Sequence, residues 1–372
     1  MKNRKILFIV HRVYFENVVK KGGVDRIIDF LKQDNETYLI EHPLDGTDYP
    51  SVFSLPRFKK NYFFRFTPPL RWIEEVIVNF LWIKRAAAKF DLIVAIDPLC
   101  FLSAYLIKKS GSATKIQFHS TDYSLPRFGN FVLEFFYQRL YLLALKKADI
   151  VTVVSHKMAK KARQLMNGKA DNLFILPNSP EFQTIPKTPI EKRKINHFAM
   201  SIGIFENQVD INNLIDGLKL LKNSSPDFVL EIIGHVDKKH IDIFYQNNLK
   251  KNVIFHGILP YAEAVEKMSR NYIGLTCYSS KYSYVHYADS LKIREYAAAG
   301  LPVVCDNIYD TAQEVKKNKA GLVYNNSREM ANCLIKLISD KNLYGQMSAN
   351  ALDWAKTMDK TKLLTKLYQK YQ

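Results

Sequence analysis

The sequence predicts an α/β protein of two doubly wound, Rossmann-like parallel-sheet domains, on three observations. Apolar runs of strand length alternate with helix-period segments through both halves of the chain, the pattern that puts helices on both faces of a parallel sheet. A polar, proline-spaced stretch, 181–196 (EFQTIPKTPIEKRKIN), interrupts this alternation just after Pro177-Asn178-Ser179-Pro180 and reads as a linker. With 372 residues, each half is long enough to bury a core of its own.

In the first half, strands are expected at 5–10 (KILFIV), 91–96 (DLIVAI), 115–119 (KIQFH), 150–154 (IVTVV) and 173–176 (LFIL). These runs are apolar almost throughout, as strands covered on both faces are. Helical patterns fill the gaps at 23–31, 100–109, 132–147 and 156–166. After the linker the series resumes, with strands at 197–202, 229–234, 253–256, 273–277 and 302–305 and helices at 211–221, 261–269 and 291–299. The expected domains are therefore 1–180, a linker at 181–196, 197–355, and a closing helix, 356–372, that packs back on the first domain. Ligands of doubly wound domains meet the C-terminal ends of the strands, so two such domains are expected to face each other across a cleft.

The net charge is +18, and its distribution is uneven. Residues 1–180 hold 28 Lys and Arg against 16 Asp and Glu, a net of +12, and residues 181–372 hold the remaining +6. Such a field suits nucleic acid, anionic lipid or phosphorylated substrates alike. Four scattered cysteines without metal-type spacing are expected to be reduced thiols. No apolar run is long enough to predict a membrane span, and the N-terminus lacks the pattern of a signal peptide; a cytoplasmic protein is expected.

The most informative segment is 289–304, DSLKIREYAAAGLPVV. Lys292 and Glu295 are three residues apart, on one face of a helix that opens just after a loop. A helix N-terminus offers amide N–H groups and a positive dipole to a phosphate, and Lys292 adds a full charge. Glu295, a turn deeper, can accept hydrogen bonds from the paired hydroxyls of a ribose. An isolated K-x-x-E is usually only a surface ion pair. The complete string, however, resembles the K-x-x-E-Y-x-A-x-G-x-P-V-V signature of GT-B glycosyltransferases, in which the Lys meets the donor diphosphate and the Glu the nucleotide ribose. The resemblance extends upstream, where Gly203 follows the first strand of the second half, and Gly257 and Ile258 follow 253–256 and are candidate contacts to the base. His256 is read as a structural strand-end histidine.

Many retaining enzymes of this superfamily carry a second Glu eight residues before the one at Glu295; here that position is Tyr287. Locally the sequence resembles the GumK-type membrane-associated glucuronosyltransferases, matched by Ser290-Leu291-Lys292, Glu295 and Tyr278. That resemblance implies inversion, a UDP-linked donor with glucuronic acid as its sugar, and a lipid-linked saccharide acceptor of a cell-surface polysaccharide pathway. It implies no metal or other cofactor, and no Asp-x-Asp motif is present. The resemblance also points to an Asp after a first-domain strand as the base that deprotonates the acceptor hydroxyl. Asp122, in 118–128 (FHSTDYSLPRF), is the first candidate and His119 the second, while Asp122 can also serve simply as a cap. Arg127 is expected to bind acceptor phosphate or to pair with Asp122. Gly22 and Gly23, after Lys20 and Lys21, are a candidate phosphate or sugar loop.

Between 57 and 89, aromatic residues interleave with basic ones ahead of Pro68-Pro69, and an apolar helix follows. Lys59, Lys60, Arg65, Trp72 and Trp82 are there the expected contacts with an anionic membrane surface, at the inner face of the cell membrane. A core helix behind a basic loop is the competing reading. Two other functions compete with inverting transfer: a retaining family 4 glycosyltransferase, and a basic nucleic-acid-binding protein. No recognisable nucleic-acid motif supports the last, and nucleic acid is not the expected partner.

Overall fold

A computed structural model describes residues 2–12, 14–15, 18–19, 22–44, 49–55, 58–281 and 283–371. Lys20, Lys21 and Arg57 lie outside the described residues. The chain divides into two compact units, Met1–Pro177 with Leu363–Gln372, and Asn178–Lys362.

The first unit runs in chain order β1 (Lys5–Arg12), β2 (Tyr14–Phe15), β3 (Val18–Val19), α1 (Gly23–Lys32), β4 (Glu36–Pro43), β5 (Ser51–Leu55), β6 (Phe58–Tyr62), α2 (Leu70–Arg85), β7 (Phe90–Ile96), α3 (Pro98–Lys109), β8 (Ala113–Ser120), α4 (Phe131–Lys147), β9 (Ile150–Val153), α5 (His156–Leu165) and β10 (Leu173–Ile175). Its main sheet has the order β10-β9-β8-β7-β1-β4-β5-β6. Pairing is parallel from β10 to β4 and antiparallel from β4 to β6. The central strand β1 is covered on both faces, which is why its apolar run is continuous. Ile6, Phe8 and Val10 pack against Ile27 and Leu31 of α1. Leu7 and Ile9, pointing the opposite way, are equally buried.

The strands β4, β5 and β6 were not foreseen from composition. β4 mixes charged and apolar residues, β5 alternates serines with apolar residues and β6 is short and rich in lysine, so none is the apolar run of a doubly covered strand. Lys59 and Lys60 stand on β6, the outermost strand, where lysine also discourages pairing with a further strand.

The second unit contains β11 (Lys194–Ile204), α6 (Phe205–Gln208), α7 (Ile211–Ser224), β12 (Val229–His235), α8 (Lys238–Gln246), β13 (Val253–Phe255), α9 (Tyr261–Ser269), β14 (Asn271–Leu275), α10 (Leu291–Ala298), β15 (Val303–Asp306), α11 (Thr311–Lys317), β16 (Gly321–Tyr324), α12 (Ser327–Ser339) and α13 (Lys341–Thr357). Its six strands, in the order β13-β12-β11-β14-β15-β16, are all parallel. The chain ends in α14 (Lys360–Gln369). Leu364, Leu367 and Tyr368 of α14 join the core around β1 and α1, and the Tyr368 hydroxyl donates to Gln117 Oε1 at 2.8 Å. The four cysteines are unpaired. Among the described residues no helix is long and apolar enough to cross a membrane.

Candidate active site

The segment 289–298 sorts its side chains between the interior and one outward face of α10. Ser290 is the N-cap, its hydroxyl accepting from the Ile293 amide at 3.3 Å. Arg294 points inward, almost fully buried, and pairs with Asp289 at 2.6 Å and Glu314 at 2.8 Å. Asp289 in turn accepts from the Asn178 amide and the Thr311 hydroxyl. At the other end, buried Arg193 donates to the carbonyls of Ala299 and Gly300, satisfying the last turn. The Tyr296 ring lies where a Cβ on Gly274 would come within 2.3 Å of it, so glycine on β14 is what admits the helix. The Tyr296 hydroxyl accepts from the Ser201 amide at 2.7 Å, tying α10 to the end of β11, two residues before Gly203.

With the helix so held, Lys292 Nζ lies 3.3 Å from Glu295 Oε2. Lys292 is partly exposed and the Glu295 side chain is 2% exposed. The other oxygen, Glu295 Oε1, accepts from the Tyr261 hydroxyl at 2.9 Å. Tyr261 opens α9, directly after the turn that carries Gly257 at φ +69° and the exposed Ile258. Gly257, Ile258, Tyr261, Glu295 and Lys292 are thus brought into one neighbourhood, and Tyr261 is a member that the sequence reading missed. Its signal was a Tyr at the first position of a helix, which carries no spacing rule.

Of the other donor-side candidates, Ser290 and Tyr278 are buried and Gly203 and Leu291 are half-buried. The Gly203 amide donates to Gln208 Oε1 at 2.8 Å, from α6, a short helix not expected there. Tyr278 is buried, with its hydroxyl 2.9 Å from Ser290 Oγ and its ring against Tyr309. It supports the cap of α10 instead of facing solvent. Leu291 is the first residue of the helix. His256 pairs with Glu231 at 2.9 Å, together with His197, a structural strand-end arrangement.

In the first unit, Asp122 follows β8 and accepts both terminal nitrogens of Arg127, at 2.9 and 3.2 Å. Burial alone would disfavour the guanidinium, but the charge of Asp122 outweighs it and raises the Arg127 pKa. Asp122 is therefore an ion-paired carboxylate, partly exposed. His119 is not at an edge: it has no exposed surface, and its Nδ1 lies 2.9 Å from Thr152 Oγ1 on the neighbouring strand. Gly22 caps α1, and its amide donates to Asp25 Oδ2 at 2.6 Å. Asp25, paired to Arg12 at 2.6 Å, supplies the anion at that helix end. No Cβ clash at Gly22 calls for glycine there.

A second charged cluster, not foreseen, closes the C-terminal ends of β1 and β7. His11 sits between two carboxylates, Nδ1 2.5 Å from Asp97 Oδ2 and Nε2 2.9 Å from Glu75 Oε2. Asp97 holds φ +78°, a backbone conformation costly for a non-glycine residue, while capping α3 through the Leu99 and Cys100 amides. His11, Asp97 and Cys100 are ligand types for a metal. The short Nδ1–Oδ2 distance is a hydrogen bond, since two ligands on bonds of about 2 Å at a tetrahedral ion stand roughly 3.3 Å apart. Burial opposes the imidazolium, but the charge of Asp97 and the hydrogen bonds to Asp97 and Cys100 outweigh it, so the His11 pKa stands well above its usual value. Burial likewise opposes the Asp97 carboxylate, and His11 reverses that and lowers its pKa.

A raised histidine pKa contributes stability that is complete below the unfolded value, about 6.5, and is lost as pH rises through the folded value. His11→Gln is therefore expected to destabilise the protein by about 3 kcal/mol at neutral pH, leaving the Asp97 carboxylate without its cation while Glu75 keeps Arg71. It is also expected to flatten the decline in melting temperature from neutral to alkaline pH. Thermal melts across that range check both. An unchanged slope in the variant would show that His11 is not the group responsible.

Two family models match the chain, "Glycosyltransferase Family 4" over residues 27–179 and "Glycosyl transferases group 1" over residues 184–354. No curated protein matches it by sequence. Among solved structures, sucrose-phosphate synthase from Thermosynechococcus elongatus is similar with a TM-score of 0.72 at 14% identity, over 99% of this chain and 98% of that one. Anabaena HepE in complex with UDP and glucose has a TM-score of 0.70 at 15% identity, over 99% of both chains. An E. coli protein described as trehalose-6-phosphate bound with UDP-2-fluoro glucose has a TM-score of 0.68 at 13% identity, over 98% of both chains. At these identities the likeness is one of fold.

Proposed function

We propose, for a chain that belongs to the GT-B glycosyltransferases, transfer of a sugar from a UDP-linked donor to a lipid-linked saccharide, with inversion and without a metal ion. The observation that carries this reading is the outward face of α10, where Lys292 and Glu295 stand at a capped helix N-terminus beside Tyr261. Lys292 and the first-turn amides meet the diphosphate and stabilise the charge that builds on it as the glycosidic bond breaks. Glu295 exchanges its bonds to Lys292 and Tyr261 for the ribose hydroxyls. A UDP donor is supported by the neighbours described with UDP or a UDP-sugar. Glucuronic acid is the sugar that the GumK-type resemblance implies.

Inversion is supported by Tyr287 at the position where a second acid occurs in many retaining enzymes. Asp122 is then the general base, taking the proton of the acceptor hydroxyl, with Arg127 orienting its carboxylate. A lipid-linked acceptor of cell-surface polysaccharide synthesis places the enzyme at the inner face of the cell membrane.

The test is turnover with a panel of UDP-sugars and a lipid-linked acceptor, followed by proton NMR of the product. Inversion gives an anomeric configuration opposite to that of the donor. A product that keeps the donor configuration would establish the retaining reading instead, and absence of transfer from every UDP-sugar would remove the proposal.

A further inference from the structure

Helix α2 buries a polar stripe beside Val76, Val78 and Ile83, and leaves a second apolar row outside. A globular helix normally buries an apolar stripe and exposes a polar one. In α2 the stripe Arg71, Glu75 and Asn79, at i, i+4 and i+8, faces inward with no residue more than 3% exposed. Arg71 donates to Glu75 and to the Pro43 carbonyl, Glu75 meets His11, and Asn79 joins His42 to Ser103. The outward stripe is Leu70, Ile73, Ile77 and Leu81, each between 44% and 60% exposed. Fully bonded polar groups inside make this arrangement stable, and leave a row of apolar side chains in water.

The first turns of α4 carry a second exposed apolar group. Phe131, Val132, Phe135 and Phe136 are exposed, Phe131 by 84%. The Trp72 ring, on α2, lies 5.4 Å from Phe128, just ahead of α4, and joins the two apolar areas. A basic group stands on this area, Arg139 over the Phe135 ring at 5.0 Å, and Arg65 and Arg85 are exposed nearby in the chain. Trp82 itself turns toward β5, stacked on Phe53 at 4.7 Å, so the apolar contact passes to the aliphatic row and the α4 phenylalanines.

We propose that this combined α2 and α4 face docks flat on an anionic lipid bilayer. At 16 residues α2 is too short to span one, but its apolar row suits the boundary between headgroups and acyl chains. Basic residues beside an anionic surface strengthen the attachment and make it sensitive to salt. A second copy of the chain is the poorer partner, because it brings like charges together in a protein of net charge +18. Docking here rests on the lipid-linked acceptor reading for its use, and names the membrane as its partner.

The experiment is flotation of the full chain with vesicles of phosphatidylcholine alone, and of phosphatidylcholine with phosphatidylglycerol, without donor or acceptor. Its outcome is thereby independent of whether sugar transfer is as proposed. The wild type is expected to float with the anionic vesicles, and less so at high salt. Ile73→Glu with Ile77→Glu, and separately Phe135→Glu with Phe136→Glu, are each expected to weaken binding at least about tenfold with unchanged circular dichroism. Arg65→Glu with Arg85→Glu, which removes no apolar side chain, is expected to abolish the preference for anionic vesicles. Wild type that stays unbound, or apolar-face variants that bind like wild type, would overturn the proposal. So would a wild-type dimer that these substitutions split without any vesicle binding.

Discussion

Lys292→Ala is expected to lower kcat for sugar transfer by about 10² to 10³, the loss seen when one preorganised charge-stabilising group is removed from a transition state. The reason lies in the helix more than in the lysine. Arg294, Asp289, Ser290 and Arg193 hold α10 from both ends without using the outward face, so removing Lys292 leaves the support in place. The melting temperature is accordingly expected to change little, since the lysine end of the pair is partly exposed and Glu295 keeps its bond from the Tyr261 hydroxyl. Lys292→Arg keeps the charge and is expected to recover part of the rate. Steady-state kinetics with melts on the same preparations separate the readings: if Lys292 were a surface partner of Glu295 and nothing more, kcat would be unchanged.

Asp122→Asn is expected to cost about 10² to 10⁴ in kcat, the range for loss of a positioned general base. The amide keeps the shape of the carboxylate but cannot take a proton. The acid limb of the kcat/KM profile, which an essential base produces, is expected to disappear with it. The ion pair with Arg127 allows a sharper test. Arg127→Gln frees the Asp122 carboxylate without removing it, so its loss of rate should be clearly smaller than that of Asp122→Asn. Should both variants lose rate equally through a raised KM, Asp122 would be holding Arg127 for acceptor binding, and the base would lie elsewhere.

How far these features could be read from sequence depended on what each residue packs against. Strands such as 5–10 and 91–96 are buried on both faces, so one glance at hydrophobicity finds them. β4 to β6 sit at a sheet edge, where half the positions are wet and charges are tolerated, and the run is broken. Lys292 and Glu295 drew notice through the resemblance of the whole string 289–304 to a known signature, helix geometry adding only that an i,i+3 pair shares one face. Tyr261 did not, since its contact with Glu295 spans 34 residues and depends on how α9 meets α10. The His11, Glu75 and Asp97 cluster failed for the same reason, drawing on β1, α2 and the end of β7. Only Asp97-Pro98 left a local trace, a helix cap followed by proline at the first position. Membrane readings from sequence favoured the tryptophans by composition. The helical phase instead turns Leu70, Ile73, Ile77 and Leu81 outward.

The central claim is that the outward face of α10 binds the nucleotide of the donor. Calorimetric titration of UDP into the wild type and Lys292→Ala tests it without any assumption about sugar, acceptor or stereochemistry. The wild type is expected to bind one UDP per chain, and Lys292→Ala to bind it at least about tenfold more weakly, with GDP a poorer ligand for both. Equal UDP affinity in the two proteins, or no UDP binding by the wild type, would contradict the account.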